Sequence, residues 1–207
     1  ATDSIEIYRE LEALVPLYEG FLTYGGMSVR EIEAMAVSLY ETLDDSIIRQ
    51  SPSFIKYLVD ELDKKGIPVI KPAGVLGVHL DAMQICSHIP QSQYPAGSLA
   101  AALFLVSGVR GMERGSMSNQ RDEYGNETFA DMELVRLAVP RRVFTLSQIK
   151  YVEDRVTWLY ENRELIGGLK FNYEPPVLRF FMGKLEPVSD WPQKLLAKFK
   201  EDFGDSL

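Results

Sequence analysis

The sequence predicts a mixed α/β fold. Segments with a helical period alternate with short apolar runs of strand character, and glycine or proline marks most of the breaks between them. No internal repeat or low-complexity tract interrupts the alternation. Such alternation is the signature of helices packed on a sheet. The 207 residues suffice for one large domain, or for one domain and a piece of another.

The elements follow in order. Ser4 to about Pro16 has helical spacing, with Ile5, Tyr8, Leu11, Leu14 and Val15 on one side. GFLTYGGMS, residues 20–28, reads as a loop whose glycines permit turns. Ser28 with Glu31 three residues on forms a capping box, and the helix it opens runs through Ile32, Met35, Ala36, Leu39, Tyr40 and Leu43. A second helix is predicted from about Ile47 to Lys65, bent near Pro52 and stopped at Gly66. IPVIKPAG and VLGVHLDA read as short strands, the first ending at Pro72 and the second spanning Val75 to Ala82. Pro95 to Gly108 is a small apolar helix, and GVRGMERGSMS a strand entering a loop. Asn119 to Phe129 is polar and expected to be mobile. Then come ELVRLAVPRR, a strand from Glu133, a helix from about Leu146 to Asn162, and a last strand at Val177 to Leu185. The tail, Trp191 to Leu207, predicts a short amphipathic helix with Pro192 in its first turn and Leu195, Leu196, Phe199 and Phe203 on one face. A lone helix this short is marginal in water, so that face docks either on this chain or on a partner.

Composition narrows the function classes. The net charge is −8 with no basic block, which argues against nucleic acid or an anionic membrane as the main partner. One cysteine, Cys86, allows no internal disulfide framework, so a reducing compartment is expected. No apolar run approaches membrane-helix length, and the opening residues lack the order of a signal peptide. The expected location is the cytoplasm. Two histidines, His79 and His88, are too few and too separated for a zinc site, and each reads as a satisfied structural histidine. Nucleophile motifs, GxGxxG and the P-loop are absent.

The unusual feature is arginine in apolar settings: Arg110 and Arg114 in GVRGMERG, Arg136 in ELVRLAVP, and Arg179 in VLRFFMG. A guanidinium in such a place needs an anion. It grips carboxylate or phosphate through two parallel hydrogen bonds. From spacing alone, an internal ion pair with one of the many acids is the favoured reading at each position.

EGFLTYGG, SHIPQSQYPAGSLAAALFLVSGVRGMERG, RLAVPRRVFT and GLKFNYEPPVLRFF resemble the C-terminal half of the β-eliminating lyases, the family of tyrosine phenol-lyase and tryptophanase. The similarity is collinear from about residue 5 to residue 186. It implies an aspartate-aminotransferase-type fold (the first fold type of pyridoxal-phosphate enzymes), pyridoxal 5'-phosphate and potassium as cofactors, a homotetramer, and cleavage of the bond from Cβ to the ring of an aromatic amino acid. The division implied is residues 1–50 as the end of the cofactor-binding large domain and interdomain helix, residues 51–187 as the small α+β domain, and residues 188–207 as an extra tail helix.

The resemblance also assigns residues. Arg136 matches the arginine that binds the substrate α-carboxylate. Arg114 matches an arginine near the phenol hydroxyl in tyrosine phenol-lyases, where tryptophanases are apolar. Phe180 matches a phenylalanine of tyrosine phenol-lyases, where tryptophanases carry histidine; Phe181 and Met112 would line the same pocket. Tyrosine is therefore favoured over tryptophan, with a pyridoxal-phosphate lyase acting on an amino acid with a different leaving group as a further alternative. Two local departures stand out: GVLGVHLDA lacks the usual glycine-histidine start, and Gly97 replaces a more usual polar residue. The larger departure is that the family's Schiff-base lysine, phosphate-binding residues and pyridine-facing aspartate all match segments preceding this chain, and none of its ten lysines has a matching context. Two functions are consistent with this. One is a subunit or fragment of a split lyase, completed in a hetero-oligomer built as a tetramer of halves by an N-terminal, lysine-bearing partner chain that also binds the potassium. The other is a non-catalytic relic that binds a partner.

Overall fold

A computed structural model describes residues 2–20 and 26–204. The chain forms two compact units, residues 1–47 and 48–207. The first unit holds helix α1, Ile5–Tyr18, and helix α2, Val29–Glu41. Ser4 caps α1 by accepting from the Ile7 N–H. The capping box before α2 forms as the sequence predicts: Glu31 N–H donates to the Ser28 hydroxyl at 3.3 Å, and Ser28 N–H donates to the Glu31 carboxylate at 2.6 Å. Both helices leave apolar side chains exposed within this chain, among them Leu11, Leu17, Ile32, Met35 and Leu39. Most of the loop expected at residues 20–28 lies outside the described residues.

A short turn, α3 (Asp45–Ile48), leads into α4 (Gln50–Lys64). The expected bend falls at Arg49 rather than at Pro52. Pro52 lies in the first turn of α4, where its missing N–H leaves no gap in the helix. Strand β1 (Gly77–Asp81), helices α5 (Ala82–Ile85) and α6 (Pro95–Ser107), strand β2 (Met112–Arg114) and strand β3 (Leu134–Ala138) follow. The strands make an antiparallel sheet in the order β1-β3-β2. Val78, Leu80, Val135 and Leu137 point to its buried face and meet Leu58, Leu62, Leu99 and Leu103 of α4 and α6. Helix α7 (Leu146–Glu161) packs against α4 and α6.

Three expectations change. IPVIKPAG gives only a bridge, Val69 to Leu80, because Pro68 and Pro72 have no N–H to extend a ladder. The strand expected over Val177–Leu185 is instead a helical turn, α8 (Arg179–Met182), followed by β5 (Lys184–Pro187). Leu178 is left-handed at φ 57°, and its carbonyl accepts from the Phe181 and Met182 N–H groups, which closes the turn. A short apolar run such as RFFM carries no period that separates helix from strand. β5 pairs with β4 (Leu169–Tyr173), a strand the sequence reading missed. The segment expected to be mobile, Asn119–Phe129, is held by the Asp122 carboxylate, which accepts from the N–H groups of Tyr124 and Asn126, and by Arg121, which pairs with Glu174.

The tail helix α9 (Trp191–Phe203) docks on this chain. Trp191, Leu195 and Phe199 are buried in the common core, and the Trp158 indole of α7 donates to Asp202 at 2.9 Å. Of the predicted apolar face, Leu195 and Phe199 are covered by this chain, Leu196 is half-buried and Phe203 is exposed. Among the described residues no helix is long and apolar enough to cross a membrane.

Candidate substrate-binding face

Side chains directly opposite one another in a sheet share a face. β3 sets Arg136 opposite His79 of β1 and Met112 of β2, and Leu134 opposite Arg114. His79, Arg136, Met112 and Arg114 therefore occupy the face turned away from the core. The order of backbone bonds adds detail. Val139 N–H donates to Leu76 and Ala82 N–H to Glu133, so 76/139 and 82/133 are hydrogen-bonded pairs. By alternation, 79/136 is a non-hydrogen-bonded pair, the geometry that brings Cα atoms to about 4.5 Å and side chains closest.

Arg136 is half-buried, and its Nε has no acceptor among the described residues. It borders a cleft of about 410 Å³ lined also by Ser51, Leu76, Ala138, Val139 and Arg141, with no acidic residue in the wall. The His79 ring is held below its ordinary pKa by burial first, and then by the Arg136 and Arg114 guanidinium charges. It is thus a neutral imidazole near neutral pH.

Arg114 is exposed on this face, and its neighbour Glu113 is buried on the other. The strand's alternation therefore rules out the simple pairing of Arg114 with Glu113. Glu113 instead accepts from the Ser118 hydroxyl at 2.6 Å, and burial pushes its carboxyl up to about 7, the nearby Glu133 carboxylate adding to the rise. Gly115 makes room for these acids: a Cβ there would lie 2.2 Å from the Glu133 carboxylate and 2.9 Å from that of Glu113.

For Arg179 the internal ion-pair reading holds. It is 1% exposed and pairs with Glu127 and, at 2.9 Å, Glu174. It also donates to the carbonyls of Asn119 and Ser116. Since Ser116 lies two residues past the end of β2, Arg179 ties α8 to the segment that carries Met112 and Arg114. Phe180 and Phe181 stand on that turn, ring edge to ring face at 5.0 Å. Phe180 packs on the core while Phe181 is 48% exposed. The sheet thus gathers Arg136, Met112 and Arg114, and the two phenylalanines lie on a separate element anchored beside them.

Comparison with known proteins places these residues in context. The chain is 44% identical to a tyrosine phenol-lyase of Intrasporangium calvum over 183 residues, 88% of this chain and 39% of the relative. It is 44% identical to a tyrosine phenol-lyase of Symbiobacterium thermophilum over 184 residues, 88% of this chain and 40% of the relative. A probable tryptophanase of Aeropyrum pernix is 38% identical over 191 residues, 91% of this chain and 41% of the relative. The chain is homologous to tyrosine phenol-lyases and tryptophanases. It spans about two fifths of the length of these relatives. No family model matches it.

Several of the described lysines are held by acids. Lys65 is bound to Glu153, Lys71 to Asp63, Lys170 to Glu186 and Lys198 to Asp202. Lys56 and Lys64 pair with acids of their own helix, and Lys194 with Asp190, the residue before α9. None lines the Arg136 cleft. The guanidinium groups of the cleft fit an anion, and among the described residues no lysine stands in its wall for pyridoxal phosphate to attach to.

Two features escaped the sequence reading. His79 was read as a satisfied histidine, yet its ring makes no hydrogen bond among the described residues; its place between Val78 and Leu80 in a two-residue alternation was the available signal. His88 does match that reading, its Nε2 lying 2.8 Å from the Ile166 carbonyl. Ser51, whose buried hydroxyl has no partner among the described residues, gave no signal in sequence.

Proposed function

We propose that this chain is the C-terminal, substrate-binding part of a pyridoxal-phosphate-dependent β-eliminating lyase that converts tyrosine and water to phenol, pyruvate and ammonia. The observation that carries the reading is Arg136, a guanidinium with no acid partner among the described residues, set in a cleft whose wall holds no acid, on the face that also presents Met112 and Arg114. Arg136 forks onto the substrate α-carboxylate and fixes the direction of the Cα–H bond. Arg114 donates to the phenolic oxygen, while Met112, Phe180 and Phe181 supply the apolar surround of the ring. The cofactor, when bound, supplies an electron sink for a bond broken at Cα. Its lysine, and any potassium, come from an N-terminal partner chain in an assembly whose protomers have the aspartate-aminotransferase-type fold. The exposed apolar side chains of α1 and α2 support a missing neighbour of that kind.

The probable tryptophanase among the relatives supports a second reading, release of indole from tryptophan. Arg114 favours tyrosine, since an indole needs no donor at that point. The test is to combine this chain with a lysine-bearing N-terminal segment of a tyrosine phenol-lyase and measure phenol from tyrosine and indole from tryptophan. Phenol release by the mixture, and by neither part alone, is expected. Assembly with no turnover of either amino acid would favour a non-catalytic, partner-binding protein.

A further inference from the structure

Ser51 is the second residue of α4, is 2% exposed, and its hydroxyl has no hydrogen-bond partner among the described residues. A buried hydroxyl left without a partner destabilises a fold. Ser51 lines the same cleft as Arg136, whose Nε is also buried without an acceptor. Two residues that each carry a buried donor without an acceptor among the described residues thus line one cavity, whose wall contains two arginines, Arg136 and Arg141, and no acid. A protein that gains nothing from these groups in the empty state gains from them when an anion fills the cleft. The geometry points to Ser51 as a second carboxylate-binding residue, its hydroxyl donating to the same carboxylate that Arg136 holds. This rests on the reading of Arg136 given above and extends it to a residue on a different element. A carboxylate has lone pairs enough for both donors. Bridging α4 and β3 through the ligand, rather than through a direct bond, fixes the carboxylate's rotation about its own axis, which one flexible arginine does not.

The test uses the 207-residue chain and a cofactor-free probe, 3-(4-hydroxyphenyl)propanoate, with its uncharged amide as control. Binding is followed by NMR titration, and thermal unfolding is recorded on the same samples. Ser51→Ala is expected to weaken binding of the acid about tenfold, the loss of one hydrogen bond to a charged group. The amide should bind weakly to both proteins. The same variant should unfold at an equal or higher temperature, because it removes a buried hydroxyl that the free protein leaves unpaired. Equal affinity of Ser51→Ala and the parent for the acid would overturn the assignment of Ser51 alone. A lower unfolding temperature would also overturn it, since the hydroxyl would then have a structural partner. No binding of the acid by the parent, with Arg136→Ala no different, would overturn the reading of Arg136 as well.

Discussion

His79 and Arg136 stand directly opposite one another on neighbouring antiparallel strands, in the pairing that sets side chains closest. A neutral imidazole is stable beside a guanidinium that has no acid partner among the described residues; an imidazolium there is not. The histidine therefore reports on the charge of the cleft. Its folded-state pKa lies below its unfolded value, so folding disfavours the proton, and stability contributed by the neutral ring is present above the unfolded pKa and falls away as pH drops through it. In Arg136→Ala the midpoint of the His79 ring, followed by NMR, should rise toward the ordinary histidine value. Burial remains, so the rise is partial. An unmoved midpoint would mean the two side chains turn away from each other.

Arg114 is expected to decide the ring. Losing its donor should harm tyrosine far more than S-methylcysteine, which has no ring hydroxyl. Sites built to hydrogen-bond a hydroxyl discriminate strongly. The ratio of kcat/KM for the two substrates, in the assembled enzyme before and after Arg114→Ala, is the measurement. An equal fall for both would make Arg114 structural.

Glu113 gives a stability signature of the opposite sign to His79. Its carboxyl is raised to about 7, so the fold holds a proton that the unfolded chain releases near the ordinary carboxylate value. Stability from this group is present below that value and is lost as pH rises toward 7. Glu113→Gln should remove this loss, so that its stability relative to the parent improves between pH 5 and pH 8 in denaturant titrations. A constant difference across that range would show Glu113 to be ionised throughout. Gly115→Ala, which forces a methyl against two buried carboxylates, should destabilise at every pH.

The tail helix belongs to the core of this chain. Phe199 is fully buried, edge to face with Trp158 at 5.3 Å and 5.0 Å below the Arg155 guanidinium. Phe199→Ala should cost about 3–5 kcal/mol in urea unfolding, the range for buried aromatic truncations. A cost below about 1 kcal/mol would place the helix elsewhere in solution.

What was legible in the sequence follows the strength of local signals. Ser28 with Glu31 marks a helix start because the hydrogen bonds are made within four residues, and they form. Arg136 stood out because a charge interrupted an apolar strand. The identity of its neighbours was hidden, since register between β1, β2 and β3 depends on loops that no local pattern encodes. Arg179 looked like Arg136 in sequence, in a short apolar run, yet it is closed by Glu127 and Glu174, two acids distant enough that only the folded chain joins them. RFFM reads equally as strand or helix; Leu178 in the left-handed region decides it. Ser51 had no signal at all, because an unsatisfied hydroxyl is a property of packing.

The central claim is that Arg136 holds the substrate carboxylate, and its most direct test is the kinetics of Arg136→Ala and Arg136→Lys in the assembled enzyme. A charge-assisted fork is worth roughly 1.5–3 kcal/mol, so kcat/KM for tyrosine should fall by roughly ten- to a hundredfold in the alanine variant, and further where the Cα–H direction is lost. Lysine should restore only part, because an ammonium cannot reproduce the planar fork. Kinetics of Arg136→Ala equal to those of the parent would contradict the account.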